Sequence, residues 1–300
     1  MLFTNSQQRA RDTVVQMGRL FYSGANIMPD LKLRLFPLIA GPTGSGKSFL
    51  VETAARKLDA KYCKVVRGDW IVTGSRAGRP TTFQILDYVA TYDRVLLHID
   101  ELDKLGSLQG SEWSASIASD VWNVLDLKFQ LEEFIRQTTV PGRQPPTVEE
   151  METRIRRLWI VGSGTWQEMF ESRRASNSIG FCQSPVTERV DSDVLARSST
   201  VSPELIGRFN GDVRVIDYPT LEETRNLLKS SGISRLARRL GVSIEAEDID
   251  WTQGGMRALE TVATRLALLH QQRCPELQSR PEPAALVEES GEAKEPGNRV

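Results

Sequence analysis

Residues 41–48 read Gly-Pro-Thr-Gly-Ser-Gly-Lys-Ser, and no other stretch constrains the fold as tightly. Glycines at 41, 44 and 46 permit backbone conformations that a side chain forbids. Successive N–H groups can therefore turn inward and cradle phosphate oxygens. The pattern G-x-x-x-x-G-K-[ST] works only with a strand before it and a helix after it. Residues 31–40 read as a half-exposed and then buried strand, and residues 48–58 as the helix. The positive N-terminal end of that helix faces the anion. Gly41, Pro42, Thr43, Gly44, Ser45, Gly46, Lys47, Ser48 and Phe49 are thus the candidate nucleotide-binding residues. Lys47 places a charge on the β and γ phosphates, and the Ser48 hydroxyl can ligate Mg²⁺. A bound nucleoside triphosphate such as ATP follows as the expected ligand.

Residues 95–101 read Val-Leu-Leu-His-Ile-Asp-Glu. A continuous apolar run of this kind suits a central parallel strand covered on both faces. Carboxylates at the C-terminal end of such a strand lie where open α/β sheets bind ligands. Asp100 is expected to hold the magnesium, directly or through water, and Glu101 to polarise an attacking water. His98, inside the strand, reads as a packed core histidine rather than a ligand.

Composition adds boundaries. Hydrophobic residues make up 40% and charged residues 26%, an ordinary balance for a globular protein. With 38 basic and 39 acidic side chains the net charge is −1, so bulk electrostatics favours neither nucleic acid nor an acidic membrane. Cys63, Cys182 and Cys274 are scattered and odd in number, which fits a reducing cytoplasm better than a disulfide framework or metal cluster. No run approaches the roughly 18 apolar residues a bilayer span needs, and the first residues lack a signal-peptide pattern. The expected location is cytoplasmic.

Along the chain, an amphipathic helix is predicted over 5–22 and strands over 31–40, 62–66, 95–99, 157–162 and 212–218, with helical stretches between them. That alternation predicts an α/β fold with a parallel sheet. Residues 138–147 form a proline-rich loop, and 165–202 an insertion or loop region. Beyond 221 the pattern is helical, with amphipathic segments at 221–240 and 254–271. Three units are expected: a large nucleotide-binding domain over 1–219, a small helical unit over 220–272, and a disordered tail over 273–300.

Taken in order, these motifs resemble those of AAA+ ATPases, most closely the ClpX and HslU unfoldase branch. Ser6-Gln7-Gln8-Arg9-Ala10 resembles the branch's entry motif beside the adenine pocket, with Ser in place of Gly. Residues 99–104, Ile-Asp-Glu-Leu-Asp-Lys, are similar to its I-D-E-[IL]-D-K. Residues 159–167, Trp-Ile-Val-Gly-Ser-Gly-Thr-Trp-Gln, resemble the strand carrying sensor 1, which places that role near Ser163. Residues 203–209, Pro-Glu-Leu-Ile-Gly-Arg-Phe, are similar to the segment whose arginine is the finger, here Arg208. Gly255-Met256-Arg257 looks like the sensor-2 motif of the lid. The resemblance implies a P-loop parallel sheet with flanking helices and an all-helical lid. It also implies Mg²⁺-dependent ATP hydrolysis, with Glu101, Arg208, Ser163 and Arg257 as catalytic residues and Ser48 and Asp100 at the metal. A finger that reaches a neighbour's site implies a homo-oligomer, for this family a hexamer, that unfolds or remodels a protein partner as a chaperone. A planar guanidinium suits the charge spread over a loose phosphoryl-transfer transition state.

Three regions depart from the branch. Its aromatic pore loop corresponds to residues 70–78, where Gly74–Gly78 would present Arg76. Trp70 reads either as core or, with Ile71, as an alternative grip. Ile179-Gly180-Phe181 matches the loop that docks a ClpP-type peptidase, or anchors an insertion instead. Arginines at 154–157, 173–174 and 235–239 read as nucleic-acid contacts or as solvated helix faces. The other classes compatible with the sequence are a nucleic-acid-associated motor or assembly factor, and a slow nucleotide-gated scaffold or switch.

Overall fold

The computed structural model describes residues 3–27, 35–105, 112–138, 145–167, 170, 203–209, 213–249 and 257–273. The insertion at 168–169 and 171–202 (with Ile179-Gly180-Phe181), the 139–144 loop, Gly255 and Met256, and the tail from 274 lie outside these residues. Five parallel strands form one sheet in the order β2-β3-β4-β1-β5. They are β1 (Leu38–Ala40), β2 (Lys61–Val66), β3 (Val95–Asp100), β4 (Leu158–Gly164) and β5 (Val213–Val215). Strands β3 and β4 are covered on both faces: Val95 to Ile99 and Leu158 to Gly164 are buried throughout. This is the expected sequence signature of strands sandwiched between helices.

Of the predicted 31–40 strand, residues 31–34 lie outside the described residues, and of 35–40 only Leu38–Ala40 enter the ladder. Pro37 lacks an N–H, so pairing of this inner strand starts after it, although the Pro37 carbonyl still accepts from Gly162 N at 3.0 Å. Of the predicted 212–218 strand, the described residues 213–218 contribute three to the ladder, Val213–Val215, with Ile216 N continuing to Ala40 O at 2.8 Å.

Flanking helices cover the sheet. α1 (Asn5–Ile27) packs along α2 (Lys47–Lys57), while α3 (Thr81–Thr91), α5 (Leu131–Thr138) and α6 (Val148–Ile155) pack together. α4 (Glu112–Leu125) follows β3 in the chain. Gly18 shows how tightly α1 sits. A Cβ there would lie 2.5 Å from Leu58 Cδ1 and 2.7 Å from the Trp159 ring. Alanine would favour the helix by about 1 kcal/mol, but overpacking costs about 1–3 kcal/mol, so close approach outweighs propensity. Trp159 is fully buried, stacks on Phe21 and donates its indole N–H to Leu35 O at 2.7 Å.

After α7 (Pro203–Gly207) and β5, a second apolar cluster forms from Leu227, Leu228, Ile233, Ala237, Leu240, Ala246, Ile249, Leu259 and Leu266. The predicted 221–240 helix is two helices, α8 (Leu221–Ser230) and α9 (Ile233–Arg239). Gly232 at φ 77° breaks it, because the left-handed conformation ends one helix and opens the next. α8 starts at a reciprocal Thr220/Glu223 capping box. α10 (Arg257–Arg273) closes the cluster. Among the described residues, no helix is long and apolar enough to cross a membrane.

Candidate nucleotide-binding cleft

Parallel register delivers the chemistry to one end of the sheet. The loop after β1, the last residue of β3 and the end of β4 meet over a cleft of about 610 Å³. Thr43, Gly44, Gly46, Lys47, Ser48 and Phe49 line it from the loop and the start of α2; Asp100 lines it from the end of β3 and Glu101 from just after. Gly44 and Gly46 take φ values of 75° and 83°, left-handed conformations that bring the loop backbone round onto the start of α2. Gln7 of α1 fixes the loop from outside by donating its amide to Ser45 O at 2.6 Å. The Gln7 carbonyl oxygen accepts from Thr4 N at 2.9 Å.

Lys47 is buried, and its ammonium donates to the carbonyls of Gly41 and Pro42 at 2.6 and 3.0 Å. Burial pushes its pKa down to about 8, against the pull of Asp100 and Asp103. Ser48 donates its hydroxyl to Asp100 Oδ2 at 2.8 Å, which joins the two predicted motifs directly.

Asp100 gathers four donors. Ser48 and Lys64 reach Oδ2, the latter at 2.9 Å. Ser163 and the Glu101 backbone N–H reach Oδ1 at 2.5 and 3.0 Å. Burial raises the Asp100 carboxyl, but His98 and the hydrogen bonds from Ser163, Lys64 and Ser48 outweigh it and hold the pKa well below the usual carboxylate range. Glu101 sits at φ 60°, an uncommon conformation for a residue with a side chain. Its carboxylate pairs with Lys104 at 2.6 Å.

Behind Asp100 runs a buried polar chain that sequence reasoning did not find. The Ser163 hydroxyl hydrogen goes to Asp100, so its oxygen accepts from His98 Nε2 at 2.8 Å. His98 is fully buried and its pKa is pushed down by burial to about 4, so the ring is neutral near pH 7. Its Nδ1 is then the acceptor for the Tyr62 hydroxyl at 2.7 Å. All donors point the same way, from β2 through β3 and β4 to the carboxylate. His98 is the expected core histidine, but both its nitrogens are engaged. The sequence signal was a polar residue inside an apolar strand; its partners lie 36 and 65 positions away.

Arg208 does not line this cleft. It pairs with Asp126, Nε to Oδ1 at 3.1 Å, and lies 5.6 Å over the Trp122 ring. Arg257 begins α10, whose first turn brings Leu259 and Glu260 to the cleft. Trp70 is core: it is buried, with its indole N–H 3.4 Å from Asp120 Oδ2. Arg76 stands exposed between Gly74 and Gly78.

The His98 chain carries a stability prediction. Replacing His98 with Leu removes two buried hydrogen bonds and should cost about 2–3 kcal/mol in urea denaturation, and Tyr62→Phe about 1 kcal/mol. The double variant should cost about 1 kcal/mol less than the sum, because the orphaned tyrosine hydroxyl is then gone. Strict additivity would mean the two side chains are not coupled.

Residues 37–158 match the family model of the ATPase family associated with various cellular activities (AAA). The matched segment includes the loop and the Asp100-Glu101 pair and ends at the first residue of β4. Members of this family bind and hydrolyse ATP, generally with Mg²⁺, as oligomers. The five-stranded parallel sheet with flanking helices that surrounds the matched segment has the architecture of an AAA domain.

Proposed function

We propose that this chain hydrolyses ATP with Mg²⁺ as a ring-forming homo-oligomer and uses the resulting motion to remodel or unfold a protein partner, as the ClpX/HslU branch does. The observation that carries the reading is convergence: Lys47, Ser48, Asp100, Glu101 and Ser163 meet at one end of the sheet. A hydroxyl and a carboxylate in contact, with an ammonium already beside both, form a donor set that suits a hard divalent cation. Ser48 and Asp100 would hold Mg²⁺, which when bound neutralises phosphate charge and polarises the transferred phosphoryl group. The loop N–H groups and Lys47 grip the β and γ phosphates. Glu101 orients and polarises the attacking water once Lys104 releases it. Ser163, buried behind Asp100, acts on the γ-phosphate through that carboxylate. The helical segment from 220 to 272 acts as a lid, with Arg257 reaching the phosphates from its side.

Arg208 is the residue assigned to the neighbouring protomer's site. Its distance from its own cleft fits that role, and Asp126 with Trp122 holds the guanidinium at the surface until a neighbour arrives. The grip on the partner falls to Arg76, since Trp70 is inside.

A second reading, a nucleic-acid-associated motor, draws on that same exposed Arg76. It predicts binding of single-stranded DNA that weakens steeply with salt, with a shallower slope in Arg76→Ala. Salt-independent or absent binding leaves the protein remodeller.

Catalysis shared between protomers is tested by mixing. Glu101→Gln should bind ATP and assemble without releasing phosphate, and Arg208→Ala should assemble with turnover reduced by about 10³-fold. Equal mixing should restore activity at about a quarter of the interfaces, those pairing an intact finger with an intact carboxylate. Mixed rings as inactive as either parent would exclude a shared site. The shifted Lys47 supplies a pH test. Phosphate favours its charged form, so nucleotide affinity is full below a pH of about 8 and falls by up to about tenfold per unit above it. Fluorescence titrations with a labelled ATP between pH 7 and 9.5 read this directly. A flat profile would argue against contact between Lys47 and the phosphates.

A further inference from the structure

Lys64 belongs to neither sequence motif, yet it stands at the centre of the cation site. It rises from β2, where it pairs in register with His98, and it lines the cleft beside the loop. Its ammonium lies 2.9 Å from Asp100 Oδ2 and 3.1 Å from Ser48 Oγ. Those two oxygens are 2.8 Å apart, so the three atoms form a closed triangle. They are also the two oxygens assigned to magnesium. An ammonium at hydrogen-bond distance and a divalent ion at about 2.1 Å cannot both use them. The Lys64 side chain is 37% exposed, against 12% for Asp100. Its flexible stem can therefore swing outward with little desolvation, whereas the carboxylate stays. The lysine is displaceable because Ser48, Ser163 and the Glu101 N–H keep the carboxylate hydrogen-bonded when the ammonium leaves.

We infer that Lys64 is a resident cation: it holds the magnesium position when the ion is absent, and yields it to the ion by turning its charge toward the phosphate chain. This deepens the nucleotide reading above and rests on it. Two consequences oppose each other in sign. Without metal, the ammonium helps neutralise the phosphates, so ATP binds partly without Mg²⁺. With metal, the same charge must be displaced and then repels the ion from nearby, so Mg²⁺ binds the protein–ATP complex more weakly than it otherwise would.

The test uses the full chain and a fluorescent ATP analogue, titrated first in EDTA and then with MgCl₂. Lys64→Met should bind the analogue about tenfold more weakly in EDTA, while half-saturation by MgCl₂ falls about tenfold. Lys64→Gln, a second neutral variant, should behave the same way, and Lys64→Arg, which keeps the charge, should track the wild type. Neutral variants within twofold of wild type on both measures, or weaker in their Mg²⁺ response, would overturn the assignment. Lys47→Ala separates the two levels of inference. If that variant loses binding while Lys64→Met changes nothing, the phosphate loop stands and the resident cation falls. A wild-type chain that bound no nucleotide would sink both.

Discussion

The neutralisation of one half-buried carboxylate organises this site. Asp100 ends the central strand where burial disfavours its charge, and an uncompensated ion there would be costly. Each of its donors comes from a different place: the loop helix through Ser48, β2 through Lys64, β4 through Ser163, and the backbone of the next residue. Satisfying that carboxylate therefore fixes how three strands and one helix meet. The Tyr62–His98–Ser163 chain extends the same requirement across the sheet. Because hydrogen bonds to a charged group are stronger than neutral ones, the position of the Asp100 carboxylate is set before any ligand enters.

Much of this was legible because it is local. The phosphate loop is eight consecutive residues, and the Asp100-Glu101 pair is announced by the apolar run before it. Strand and helix periods around both gave the parallel α/β architecture. Boundaries failed where one residue overrode a pattern: Pro37 delays the ladder of β1, and Gly232 splits a helix that amphipathicity reads as continuous. Neither failure moves the site.

What sequence could not reveal is pairing across the sheet. Parallel register sets Lys64 beside His98 and Val66 beside Asp100, across a gap of 34 residues that no local period encodes. Arg208 and its partner Asp126 are 82 positions apart. The 70–78 segment shows the same limit. Its two readings were separated only by Asp120 of α4, which draws the Trp70 indole inward and accepts from Thr73 N at 3.0 Å. The exposed tip that remains is basic and lacks an aromatic ring.

The first turn of α1 touches both halves of the molecule. Asn5 donates its backbone N–H to Glu223 Oε1 at 2.8 Å, while the other oxygen of the same carboxylate caps α8. Two residues on, the Gln7 amide holds the phosphate loop at Ser45. Any pivoting of α8 must therefore tug this short tether or break it. Tilting of the carboxy-terminal helices and tension in the glycine loop are mechanically geared through three consecutive residues.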